Sequence, residues 1–169
     1  MSRAFVKESD DDLAAGELPE RPVPSHANYV TPRGLDRLQA RVKELQEMHE
    51  RLAARSADDS GARQKKREVE RDQRYFNAQL DRAVVVDPAG QPRDEVHFGA
   101  TVKIVDGQGK HRRFDIVGDD EADVAGGKIS WASPLARAMI GARVGDTVKW
   151  SRPAGETEVE IVEIRYTGK

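Results

Sequence analysis

Two adjacent acids, Asp58 and Asp59, occupy the stretch "RSADDSGARQKK", and helical patterns flank them on both sides. The chain must reverse there. A carboxylate pair at such a reversal is either a working tip or a turn whose acids cap the next helix. The other candidates have plainer readings. Asp10, Asp11 and Asp12 invite a metal, but a charge run in a polar segment is ordinarily just solvated. Ser133 opens "SPLARAM", a helix-cap pattern with Pro134 at the first helical position, and no base stands near it in the sequence. Glu156, Glu158, Glu160 and Glu163 fall on a strand pattern, where they read as a solvated face that discourages edge pairing. The four His residues are scattered and the chain has no Cys, so disulfides and thiolate metal sites are excluded. Gly-rich phosphate loops, nucleophile elbows and HExxH patterns are absent from the sequence.

The elements that must position these residues fall into three segments. Residues 1–28 are Pro-rich and acidic, with three basic against six acidic side chains. Such composition cannot offset the entropy of ordering, so a flexible tail is expected, with Phe5 and Val6 its apolar pair. Residues 29–84 carry two helical runs. Thr31 suits an N-cap and Pro32 the first helical position. Leu35, Leu38, Val42, Leu45 and Leu52 then make an a/d seam, with His49 in one a position as a tolerated seam residue. Gly34 weakens the first turn. The second run spans about residues 62–83, with Val69, Phe76, Leu80 and Ala83 as a thinner stripe and Asp59 or Ser60 as its N-cap. So short a link makes the helices antiparallel, each arm roughly 35 Å long. Basic residues in "RQKKREVERDQR" read as an exposed, ion-paired face or as a surface for an acidic partner.

Residues 85–169 read as an α+β domain, a small antiparallel sheet with one short helix. Strands are expected over 101–105, 112–117, 128–131, "DTVKW" and "ETEVEIVEIRY", and the helix over 133–141. Trp131 and Trp150 read as core or groove lining. The charge balance lacks the basic footprint of a dedicated nucleic-acid binder. No apolar run approaches ~18 residues and no signal peptide opens the chain, so a cytoplasmic protein without a membrane span is expected. A projecting hairpin suits a monomer.

At this point the sequence resembles the Gre family of bacterial transcript-cleavage and elongation factors, over about residues 29–166. "YVTPRGLDRL" is similar to that family's T-x-x-G-x-x-x-L opening, "ISWASPLARAMIGARVGDTV" to its I-S-x-x-S-P stretch followed by G-D, and "PAGETEVEIVEIRY" to its closing strand. The C-terminal segment is also similar to regulators of nucleoside diphosphate kinase. The Gre resemblance implies an N-terminal coiled coil and an FKBP-like C-terminal domain. It implies docking on bacterial RNA polymerase beside the secondary channel through Ser133 and Pro134, with Leu135 following, and nucleic acid met only inside the elongation complex. It implies tip acids, carried over to Asp58 and Asp59, that help hold the second Mg²⁺ of the polymerase active site for hydrolysis of backtracked RNA. The factor would have no cofactor of its own and would be an accessory rather than an enzyme. Two departures bear on this. The family's tip acids stand three residues apart in G-D-x-S-E-N-A, whereas these are adjacent and the arms are shorter, by roughly 7 Å of reach. Ala132 also stands where related sequences often carry an acid. A non-cleaving channel regulator, or an antagonist of cleavage factors, is therefore the alternative. A prolyl isomerase is disfavoured by the few aromatic residues, and a kinase-regulating interaction module is the remaining rival.

Overall fold

The computed structural model describes residues 18–167. A short strand β1 (Asn28–Val30) leads into helix α1 (Pro32–Ala53). The chain reverses through residues 54–59 into helix α2 (Ser60–Asp81), and strand β2 (Ala83–Val85) follows. Then come β3 (Thr101–Asp106), β4 (His111–Val117), β5 (Lys128–Ser130), helix α3 (Pro134–Met139), β6 (Thr147–Arg152) and β7 (Gly155–Arg165).

The antiparallel hairpin forms, but on α2 the buried stripe runs through Ala62, Val69, Tyr75 and Gln79, and the expected Phe76, Leu80 and Ala83 are only partly buried. Leu38 and Leu45 of α1 are buried, as are Ala62, Val69 and Tyr75 of α2, while most other positions on both helices are charged and wet. His49 leaves the seam sideways, and its Nε2 meets Glu70 on the facing helix at 3.0 Å. That hydrogen bond, helped by Lys66 and opposed by burial, holds the Glu70 carboxyl below its usual range. Each arm has 22 residues, about 33 Å of helix.

The second domain is a five-stranded sheet in the order β5-β4-β3-β7-β6. Its core face carries Val102, Ile104, Ile116, Val159 and Ile161, packed with Leu135, Ala136 and Met139 of α3. The sheet is mixed rather than wholly antiparallel. β5 runs parallel to β4 because the segment between them loops back through a 3-10 turn, Asp119–Glu121, before pairing. β7 pairs on both sides, with β3 and β6, so its row of Glu residues guards no edge. Their periodicity also breaks. The register shift opposite Lys103 and Ile104 inserts one residue into β7, so inward positions step from Val159 and Ile161 to Ile164. The strand pair β1–β2, parallel and short, is new relative to the sequence reading. Three-residue strands of ordinary composition give too little periodicity to find.

The junction between hairpin and sheet is built by "GDDE", residues 118–121. The buried Glu121 accepts from Thr31 Oγ1 at 2.5 Å and from the backbone N–H groups of Thr31 and Gly118 at 3.2 Å. Its negative charge lies at the N-terminus of α1, where the helix dipole favours an anion. Thr31 in turn accepts from the Gly34 N–H. A Cβ on Gly34 would run into the Glu121 carboxylate, which explains a glycine in a first turn that otherwise suffers from it. Asp120 accepts from Tyr75 Oη at 2.9 Å and Gln79 Nε2 at 2.8 Å. Burial, reinforced by Asp120, pushes the Tyr75 hydroxyl up to about 12. Asp119 takes His26 and Ser130.

The sequence reading ran the tail to residue 28. Among the described residues the contacts begin at Glu20, and Glu20, Arg21, His26 and Asn28 each have a partner. Arg74 Nη2 binds the Glu20 carboxylate at 2.5 Å, and Arg21 stacks 3.9 Å from the Tyr75 ring centre. Asn28 Nδ2 donates to the Gln79 carbonyl at 2.7 Å. Phe5, Val6 and Asp10–Asp12 lie outside the described residues.

Candidate functional site

The reversal between the helices places Asp58 and Asp59 together at the far end of the hairpin, but in different circumstances. Asp59 is the N-cap of α2, with extended backbone, and its Oδ1 accepts from the Ala62 N–H at 3.1 Å. Its other oxygen faces Arg55 at 3.8 Å. Arg63 donates to the carbonyls of Ser56 and Ala57 at 3.3 and 3.2 Å, tying the loop to the first turn of α2. Asp58 is exposed and enters no hydrogen bond or ion pair among the described residues. A shared divalent cation would thus find one free carboxylate in Asp58 and one partly committed carboxylate in Asp59. Among the described residues, no group of three or more His, Asp or Glu side chains is arranged to hold a metal ion.

The Ser-Pro stretch forms a second surface on the sheet domain. Ser133 is the N-cap of α3, its Oγ accepting from the Ala136 N–H at 3.4 Å. Pro134 is exposed beside it, whereas Leu135 turns inward and is 3% exposed. Leu135 therefore anchors the helix, and the outward face is made by Pro134 and Arg137. Ile140 and Val144, which follow α3, are exposed apolar residues. They lie within the quoted stretch, but composition does not separate an outward apolar residue from an inward one.

Trp131 packs at the junction, 4.9 Å from the Tyr29 ring and 5.3 Å from His26. Trp150 is half-buried at the open end of the sheet, with the Arg152 guanidinium 4.8 Å from its ring centre. No helix among the described residues is long and apolar enough to cross a membrane.

The helical hairpin, about 33 Å long, carries Asp58 and Asp59 at its tip and is clamped at its base to a sheet domain with an exposed Pro134. The family model for the C-terminal domain of transcription elongation factors GreA and GreB matches residues 91–166. Over 153 residues the chain is 40% identical to the transcription elongation factor GreB of Neisseria meningitidis serogroup A, strain Z2491, covering 82% of this chain and 94% of that one. It is 41% identical over 129 residues to the transcription elongation factor GreA of Pseudomonas aeruginosa, covering 75% and 78%. A solved GreA/GreB factor from Nitrosomonas europaea aligns over 84% of this chain and all of its own, at 25% identity and a TM-score of 0.41. The chain belongs to the GreA/GreB family of transcription elongation factors.

Proposed function

We propose that this protein docks on bacterial RNA polymerase beside the secondary channel and extends its hairpin into the channel, where it modulates paused or backtracked complexes in the cytoplasm. Family membership and the projecting hairpin with the exposed Asp58 at its end support this reading. The face of Ser133 and Pro134 would make the docking contact, with Leu135 holding α3 beneath it. The factor acts as an accessory, most simply as a monomer, and brings no cofactor of its own.

In the cleaving version, Asp58 would offer a carboxylate to the Mg²⁺ of the polymerase active site, and Asp59 would hold the tip turn and contribute what its cap leaves free. A second carboxylate source raises the occupancy of a weakly held ion and orients a water for hydrolysis. In the non-cleaving version, the same tip occupies the channel and displaces cleavage factors. The commitment of Asp59 to the Ala62 N–H and the length of the arms favour this second version.

RNA cleavage in a stalled, backtracked elongation complex decides between them. Short 3′ RNA fragments that disappear with Asp58→Asn/Asp59→Asn establish assistance to cleavage. No fragments, together with competition against an active cleavage factor, establish the blocking role. Failure to bind the polymerase in either assay overturns the proposal.

A further inference from the structure

The 3-10 turn Asp119–Glu121 holds the hairpin at one place. Glu121 takes the start of α1, Asp120 takes Tyr75 and Gln79 of α2, and Asp119 takes His26. A clamp confined to the base leaves a long lever. Gln79 and Asp59 are twenty residues apart, about 30 Å of helix, so a swing of about 10° at the base moves the tip by about 5 Å.

Residues 20–26 supply a second point of attachment. Arg21 Nη1 donates to Asp72 at 3.4 Å, and its guanidinium lies 3.9 Å from the Tyr75 ring centre and 5.0 Å from that of Phe76. Glu20 pairs with Arg74, but that pair is exposed and contributes less. At the other end, the His26 ring meets Asp119 at 2.6 Å and packs edge-on against Trp131 at 5.3 Å, while the His26 carbonyl accepts from Arg82 Nη2 at 2.5 Å. One end of the segment therefore grips α2 above the base, and the other grips the junction with the sheet domain.

Between those anchors the chain is stiff. Pro22 and Pro24 each fix φ near about −65°, and Pro19 precedes them. Residues 18–24 form neither helix, strand nor bend, and residues 18–26 make no backbone-to-backbone hydrogen bond among the described residues, as in a polyproline II run. The length of the segment matches the interval it bridges. Asp72 and Arg82 stand ten residues apart, about 15 Å along α2, and the five residues from Arg21 to His26 span about 16 Å as polyproline II. The prolines that make this stretch read as a tail make it a strut once both ends are tied.

We propose that residues 20–26 are a proline-stiffened strut that fixes the angle of the hairpin to the sheet domain, with Arg21 and His26 as positioning residues at its two ends. The strut needs only the hairpin and the sheet domain, so it stands whether or not the tip assists cleavage.

The chain lacks Cys, so Ala57→Cys at the tip and Gln108→Cys in the turn between β3 and β4 provide two sites for nitroxide labels. Dipolar spectroscopy on the full chain then reads the tip-to-sheet distance distribution. Arg21→Ala/His26→Ala broadens it by about 5 Å, the displacement given by a swing of about 10°. Arg21→Lys/His26→Gln, which keeps a cation at one end and an N–H donor at the other, narrows it again. Pro22→Gly/Pro24→Gly keeps both anchors and removes the stiffness, and broadens the distribution by a smaller amount. A control pair within the sheet domain, Gln108→Cys and Lys149→Cys, keeps its width in every variant. An unchanged tip-to-sheet distribution in Arg21→Ala/His26→Ala overturns the strut, even where the melting temperature falls. Broadening of the control pair to the same extent reports general loosening and also overturns it. Should Arg21→Ala/His26→Ala fail to fold, Pro22→Gly/Pro24→Gly carries the test, and an unchanged width there overturns the proposal.

Discussion

The two ends of the hairpin use acidic residues in opposite ways. At the base, Asp119, Asp120 and Glu121 are each engaged by donors from other segments, and together they bind the hairpin to the sheet. At the tip, Asp59 satisfies a local backbone donor and Asp58 satisfies nothing within the described chain. Acids at the base are therefore structural: Glu121 is buried and must be paired, and the half-buried Asp119 and Asp120 are taken by donors from other segments. Acids at the tip remain in water, so they can be spared for a partner. The lesson is that an acidic dipeptide acquires its role from the donors around it.

The largest effect should come from breaking the base. Glu121→Ala removes a buried acceptor from three donors and should cost about 3 kcal/mol in a denaturant melt. Gly34→Ala should cost about 2 kcal/mol in the native background, because the carboxylate must move. In a Glu121→Ala background that penalty should vanish and turn into a gain of up to about 1 kcal/mol, the helix preference of Ala over Gly. If Gly34→Ala costs the same in both backgrounds, the clamp is not the reason for the glycine.

Next in size is an alkaline effect. Tyr75 is raised from 10.0 to about 12 by burial and Asp120. Its protonated form is favoured by folding, so this contribution is complete below pH 10 and is lost as the pH climbs through 12. The loss is about 2 to 3 kcal/mol. Chemical denaturation of native and Tyr75→Phe protein across that window should show the steeper decline only in the native chain.

The tip should give smaller stability effects and sharper functional ones. Asp59→Ala should cost about 1 kcal/mol through the lost cap, whereas Asp59→Asn should cost only a few tenths, since Asn caps as well as Asp. Asp58→Asn should change stability by less than about 0.5 kcal/mol. If cleavage is assisted, Asp58→Asn should nevertheless remove it more completely than Asp59→Asn. Equal loss from the two would make the tip a symmetric pair.

Much of this was legible in the sequence because it is local. Thr31 with Pro32, and Ser133 with Pro134, mark helix starts through chemistry confined to one turn. Leu38 and Leu45 stand seven apart on the first run, and Val69 and Phe76 seven apart on the second, so an antiparallel seam was expected. The parallel placement of β5 did not follow, because nothing in "KIS" records which strand it joins. The inward turn of Leu135 beside the outward Pro134 was equally hidden, since neighbouring positions on a one-turn helix differ only by what packs over them.

By itself the sequence determined the helices, their caps, the reversal that carries Asp58 and Asp59, and the alternation of the strands. Each of these depends on contacts within a few residues. Only the tertiary structure decided that Glu121, ninety residues from Thr31, closes the start of α1, that Gly34 admits it, and that Asp59 is committed while Asp58 has no partner among the described residues. Those outcomes depend on which donors are brought within about 3 Å of a carboxylate, and hydrogen bonding at that range is set by folding rather than by spacing along the chain.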